Sequence, residues 1–277
     1  VLTHRNIVQI FDFGRDQGRA WLAMEVVDGV DLKAVMDREQ GPLPPGLVVE
    51  VGAACARALE YAHRASDARG DPLHIIHRDV SPQNILISYE GDVKLADFGL
   101  AQAAARDPDE SGSLRGKFAY MSPEQARAQA IDGRSDQYSL AVVLYEMFSG
   151  QRAFYGDDGV EGILKRVSTG RTNRPLREAC GDLPPSILAV IERAMSLDRK
   201  DRYPDLGTFQ TALLEAAAEG GIIPGVPPLG SWLRACFPRR ILQARSLEAS
   251  IASGTAIADL PIQSGAVEHT EIASAPI

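Results

Sequence analysis

The chain opens on two short apolar segments. Residues 7–13 (IVQIFDF) and 20–27 (AWLAMEVV) flank GRDQGR, whose glycines and charges favour a turn, so the pattern predicts two paired strands. Within LPPGLVVEVGAACARALEYAHR the period becomes helical. Prolines stand where a first turn accepts them, and Leu47, Val48, Val51, Cys55, Ala58, Leu59 and Ala62 follow helical spacing. ILIS (85–88), the turn YEGD and VKLA (93–96) predict a second hairpin. Residues 136–148 (DQYSLAVVLYEMF) are apolar almost all round, the mark of a helix enclosed by protein on every side. Further helices are expected over 158–168, 185–196 and 205–218. From about residue 219 the period breaks at GGIIPGVPPLG. SWLRACFPRRILQARSL then fits one short amphipathic helix, and the small, polar remainder reads as disordered.

Composition narrows the function classes. A chain of 277 residues with 45% hydrophobic and 24% charged content is ordinary for a globular protein with a real core. A net charge of −8 argues against a general nucleic-acid binder, so no nucleic-acid partner is expected. Cys55, Cys180 and Cys236 are widely spaced and odd in number, which fits buried thiols in a reducing cytoplasm better than a disulfide framework or a metal cluster. No apolar run reaches the roughly 18 residues of a membrane-spanning helix, and no signal peptide is visible. A cytoplasmic location follows as the expectation.

Candidate chemistry concentrates in HIIHRDVSPQN, residues 74–84. An aspartate beside a bound hydroxyl can orient it and accept its proton, and an asparagine carbonyl is a hard, neutral metal ligand. Asp79 and Asn84 place both within one loop. Thirteen residues beyond Asn84, KLADFGLA sets Asp97 after an apolar strand, with Gly99 free to take a sharp turn. Two oxygen ligands of this kind, Asn84 and Asp97, suit magnesium, which completes its shell with water and phosphate oxygens.

These motifs resemble the catalytic loop (HRDVSPQN), the metal loop (DFG) and, with MSPEQ at 121–125, the end of the activation segment of eukaryotic-type protein kinases, in particular bacterial serine/threonine kinases. DFG alone would equally mark a buried turn; the three motifs in order, followed by a buried helix, carry the likeness over roughly residues 1–217. The resemblance implies an α+β, protein-kinase-like fold. Residues 1–27 would be a remnant of the β-rich small lobe with the hinge, 28–217 the helical large lobe, and 218–277 a low-complexity tail. It implies ATP and Mg²⁺ as cofactors, a protein substrate with Ser or Thr hydroxyls, and self-association during autophosphorylation.

Carried over by position, Asp79 is the catalytic base, while Asn84 and Asp97 hold Mg²⁺ against the phosphates. His77 and Phe98 stack in a hydrophobic column with Ile10. Arg78 pairs with a phosphate on the activation segment, where Ser111 and Ser113 offer hydroxyls, although a solvated loop is the alternative for both. Met24 guards the back of the adenine pocket, and the backbone of Glu25 and Val27 meets the adenine edge. Asp31 binds the ribose hydroxyls or, read without the family, simply starts a helix. Leu86 floors the ring. Glu124 pairs with Arg202, and Asp136 receives hydrogen bonds from the catalytic-loop backbone.

Three departures accompany the likeness. The glycine-rich loop, its phosphate-pairing lysine and the helix glutamate are expected before Val1, so the chain as given is expected to be nearly inactive alone. Serine stands at 81 where the family usually has lysine, and lysine at 117 where threonine is usual. Two other readings were weighed: a scaffold that signals by docking, against which the full set Asp79, Asn84 and Asp97 argues, and a small-molecule phosphotransferase, against which MSPEQ and the buried helix argue.

Overall fold

The computed structural model describes residues 2–16, 19–67, 69–98, 117–156 and 158–238. Its centre is the helix α4 (Gly133–Ser149), buried from Ser135 to Ser149. The Asp132 carboxylate caps its start by accepting from the Arg134 N–H. Gly150 ends it with φ 65°, a left-handed backbone in which a side chain would be strained.

Around α4 lie α2 (Pro45–His63), α7 (Pro185–Ala194) and α8 (Leu206–Glu219). Pro45 occupies the first turn of α2, where its missing N–H costs nothing. Gly52 lets α2 come close to its neighbours, since a Cβ there would already stand 3.0 Å from Leu144 and 3.1 Å from Leu213. Helices α1 (Leu32–Glu39), α3 (Pro123–Ala126), α5 (Gly159–Thr169) and α6 (Leu176–Ala179) complete this helical body. Cys55, Cys180 and Cys236 are free and buried.

Two small antiparallel sheets adjoin the helices. Strands β1 (Ile10–Asp16) and β2 (Arg19–Met24) form a hairpin, and β3 (Gly29–Asp31), β4 (Ile85–Ser88) and β5 (Val93–Leu95) form a sheet in the order β3-β4-β5. The first strand therefore begins three residues later than its apolar pattern suggests. Ile7 and Val8 instead dock on β5, where Val8 N donates to Leu95 O and Leu95 N to Asn6 O. Their apolar character serves that buried junction, while Phe11 and Phe13 on the hairpin are exposed.

The ordered body also passes the expected boundary at residue 217. Helix α9 (Leu229–Cys236) buries Leu229, Leu233 and Cys236, spaced four and three residues apart on one face. It lies against the β4–β5 turn and α1: Gly230 approaches Glu90, and the Arg38 guanidinium sits 5.5 Å from the Phe237 ring centre. The expectation of a disordered tail from 218 is thus corrected up to Pro238; residues 239–277 lie outside the described residues.

Candidate active site

Residues 77–81 have no regular structure of their own, so neighbouring elements must fix them. Asp136, 1% exposed in the first turn of α4, is the main anchor. Its Oδ2 accepts from His77 N and its Oδ1 from Arg78 N, both at 2.8 Å, and His63 Nε2 at the end of α2 lies 2.7 Å from Oδ2. The imidazole fits only because position 133 lacks a side chain, as a Cβ there would fall 2.5 Å from His63 Nδ1. Arg78 is held at φ 70°, and its carbonyl accepts from Gln125 Nε2 at 2.9 Å. Such a backbone in a non-glycine residue costs on the order of 1–3 kcal/mol and persists only under restraints of this sort.

The restraints bring the chemistry-bearing side chains together. Asn84, in the 3₁₀ turn Pro82–Asn84, donates its amide to the Asp79 carbonyl at 2.8 Å and to Asp79 Oδ2 at 3.0 Å. That leaves the Asn84 amide oxygen as the end available to a cation. Lys117 Nζ donates to the same Asp79 Oδ2 at 2.8 Å. Ala96 N donates to Asn84 O, which places the segment carrying Asp97 beside this loop. His77 completes the join. It accepts from Asp79 N at Nδ1 (3.3 Å), donates from Nε2 to Ala96 O (2.8 Å), and meets the Phe98 ring edge-on at 4.5 Å. Ile10, by contrast, lies on β1 across from Met24 and outside the core cluster.

Asp97 also has a positive φ, 63°. Enclosure by protein pushes its carboxyl above the usual carboxylate range. His77 and Lys117 pull it down and the Asp79 charge adds to the rise, with a net upward shift. A divalent cation would relieve that crowding of negative charge. The donor set, one carboxylate and one amide oxygen, fits magnesium, which takes few protein ligands; among the described residues there is no cluster of three or more His, Cys, Asp or Glu suited to a metal.

A second group of residues borders the sheet. Asp31, Leu86 and Lys94 are register partners across β3, β4 and β5. Lys94 Nζ continues the row to Glu25 Oε1 at 2.8 Å, and that oxygen also accepts from Gln9 N at 2.7 Å. Burial would raise the Glu25 carboxyl, but these bonds and the lysine charge hold it below its ordinary range. Glu25 N–H is already used on Gln9 O, so its carbonyl is the backbone group left for a ligand. Asp31 is the N-cap of α1, its Oδ1 accepting from Ala34 N at 2.7 Å. Met24 ends β2, and Val27 lies partly buried in the connection to β3.

Below the loop, Glu124 and Arg202 form a bidentate ion pair at 2.7 and 2.9 Å. Ser122 and Gln125 make a reciprocal capping box that starts α3. Ser111 and Ser113 lie outside the described residues. Four residues that contact these groups have no assigned partner in the sequence pattern: His63, Lys94, Lys117 and Gln125. Lys117 was visible only as an unusual residue, and Lys94 had a local signal in its place on the strand leading to DFG.

Comparison with known proteins follows the same lines. A sequence model described as protein kinase domain matches residues 1–213. The tyrosine-protein kinase MasK of Myxococcus xanthus is 36% identical over 261 residues, covering 92% of this chain and 40% of that protein. The serine/threonine-protein kinase PknL of Mycobacterium tuberculosis is 38% identical over 247 residues, covering 88% of this chain and 57% of that protein. This chain thus spans under two thirds of the length of these relatives. The crystal structure of the Mycobacterium tuberculosis PknI kinase domain superposes with a TM-score of 0.58 at 30% identity, covering 78% of this chain and 74% of that one. With its loop clamped on Asp136, its paired carboxyl and amide groups, and a family match over most of its length, the chain belongs to the protein kinase domain family.

Proposed function

We propose that this chain supplies the catalytic loop and metal-binding residues of a protein kinase that transfers the γ-phosphoryl group of MgATP to serine or threonine hydroxyls of a protein substrate. The observation that carries the reading is Asp79 held by Asn84 and Lys117 on a loop fixed to the core by Asp136. Asp79 orients the acceptor hydroxyl and takes its proton as the oxygen attacks phosphorus. Asn84 and Asp97 are the residues for magnesium, which when bound neutralises phosphate charge. Leu86 and the Glu25–Val27 backbone receive the base, and Asp31 the ribose. Residues 2–27 act as the hinge side of the site and 28–217 as its helical body.

ATP is a cytoplasmic nucleotide, so the catalytic site belongs to that compartment. Among the described residues, no helix is long and apolar enough to cross a membrane. Arg78 is the candidate to bind a phosphate placed on Ser111 or Ser113, which would make transfer between two copies of the chain an activating event.

The test is transfer of label from [γ-³²P]ATP by the full-length protein, followed by phosphoamino-acid analysis. Label on serine or threonine that Asp79→Asn abolishes, with MgATP binding retained, supports the reading. Label on tyrosine would instead favour the hydroxyl named for MasK, and near-normal turnover in Asp79→Asn would remove Asp79 from its role.

A further inference from the structure

Position 81 cannot supply a cation to this site: it is a serine, 0% exposed, and its hydroxyl has no hydrogen-bond partner among the described residues. Positive charge reaches Asp79 from another direction. Lys117 Nζ lies 2.8 Å from Asp79 Oδ2, the oxygen that Asn84 also holds. With Oδ2 held from two sides, Oδ1 is the oxygen for an incoming hydroxyl.

A structural ion pair is the plainer explanation, but the exposures disfavour it. The Lys117 side chain is 39% exposed and that of Asp79 21%, so solvent screens the pair and it adds little to stability. The contact instead places an ammonium beside the Asp79 carboxylate. Only one of its three N–H groups is needed for Asp79. An acceptor hydroxyl on Asp79 would sit about 2.7 Å from the carboxylate, with the reacting phosphorus about 3–3.5 Å beyond it. Two N–H groups of the ammonium remain for oxygens of that phosphoryl group.

We propose that Lys117 is a catalytic residue of this chain, whose ammonium hydrogen-bonds the phosphoryl group in flight while resting on Asp79. The inference rests on the phosphotransfer reading above. As the bond from the acceptor oxygen to the γ-phosphorus forms, the bond to the β,γ-bridging oxygen breaks, and ADP leaves with that electron pair. The acceptor proton passes to Asp79, and Lys117 stays protonated throughout. Its charge is worth most where negative charge spreads over the equatorial oxygens.

The experiment compares the full-length protein with Lys117→Met and Lys117→Arg. It measures kcat and KM for MgATP, and calorimetric affinity for MgADP with and without aluminium fluoride, a mimic of the transferring group. Lys117→Met should lower kcat by about 10²–10³, leave KM and MgADP affinity within about threefold, and weaken the aluminium fluoride complex far more than MgADP. Lys117→Arg should recover part of the loss. Near-normal kcat in Lys117→Met, or a gain, would overturn the proposal, the gain marking the ion pair as a block on Asp79. An equal loss of MgADP affinity, or a large drop in melting temperature, would mark a structural role and overturn it too. A wild-type protein with no transfer at all defeats the phosphotransfer reading itself; an active wild type with an indifferent Lys117 defeats this inference alone.

Discussion

Replacing Arg202 with methionine removes one cation from the interior and leaves several acceptors behind. The Arg202 side chain is 0% exposed. Its guanidinium donates to both Glu124 oxygens and to the carbonyls of Ser196, Arg134 and Leu197, and stacks 4.8 Å from the Tyr138 ring centre. Burial alone would raise the Glu124 carboxyl, but the hydrogen bonds from Arg202 and Ser135 and the guanidinium charge outweigh it and hold the group at about 2, against an ordinary 4.5. At 1.36 kcal/mol per pH unit, that depression corresponds to roughly 3 kcal/mol. It agrees with the 3–5 kcal/mol that breaking a buried pair typically costs. Arg202→Met should therefore destabilise the chain by about 3–5 kcal/mol, a fall in Tm of roughly 6–20 °C at about 2–4 °C per kcal/mol. Urea titration followed by circular dichroism measures it. The sign with pH is also fixed: because the folded carboxyl is depressed, its contribution is complete above about pH 4.5 and is lost as pH falls toward 2. The gap between wild type and variant should narrow over that window. A loss under 1 kcal/mol at pH 7, or a gap that widens on acidification, would refute the reasoning.

Other outcomes follow from the same geometry. Asp97→Ala should weaken magnesium-dependent nucleotide binding more than Asp79→Asn does, since it deletes the carboxylate of the proposed magnesium site; calorimetric titrations of both variants against magnesium decide it. Asp136→Ala strips acceptors from the His77 and Arg78 amides and from His63, and should cost about 2–4 kcal/mol in denaturant titrations. Its kcat should fall further than its nucleotide affinity, because the displaced loop carries Asp79, the proposed base. Ser81→Ala removes a buried hydroxyl that has no partner among the described residues and should leave stability unchanged or raise it by about 1 kcal/mol, read from the melting temperature.

Much of this architecture was legible because its signals are local. The all-round apolar run centred on Leu140–Leu144 demanded burial, and α4 is buried there. The spacing of Asp79 and Asn84 needed one turn, which Pro82–Asn84 supplies. What escaped was non-local. Lys117 and Asp79 are 38 residues apart, Lys94 and Glu25 69, and His63 and Asp136 73. No periodicity encodes which lysine meets which carboxylate, since the path of the chain decides it. The start of β1 departs from the apolar pattern for a related reason: Ile7 and Val8 are apolar because β5 covers them, and a strand pattern cannot distinguish that from a hairpin. Helix α9 was legible in part, as the start of the amphipathic stretch SWLRACFPRRILQARSL, but its docking on α1 and the β4–β5 turn was not, and that docking shows why Leu229 and Leu233 are apolar.

The Asp136 anchor has a consequence for how the loop at 77–81 breathes. Amide protons in a loop ordinarily exchange with solvent through small, frequent openings. The His77 and Arg78 amides are bonded to a carboxylate on the most enclosed helix of the protein, so releasing them requires α4 to move or the Asp136 side chain to leave a site with 1% exposure. Their deuterium uptake should follow that of the α4 backbone, hours behind the turn at 69–71, although no helix or strand contains them. The loop that carries Asp79 is then as long-lived as the core to which it is tied.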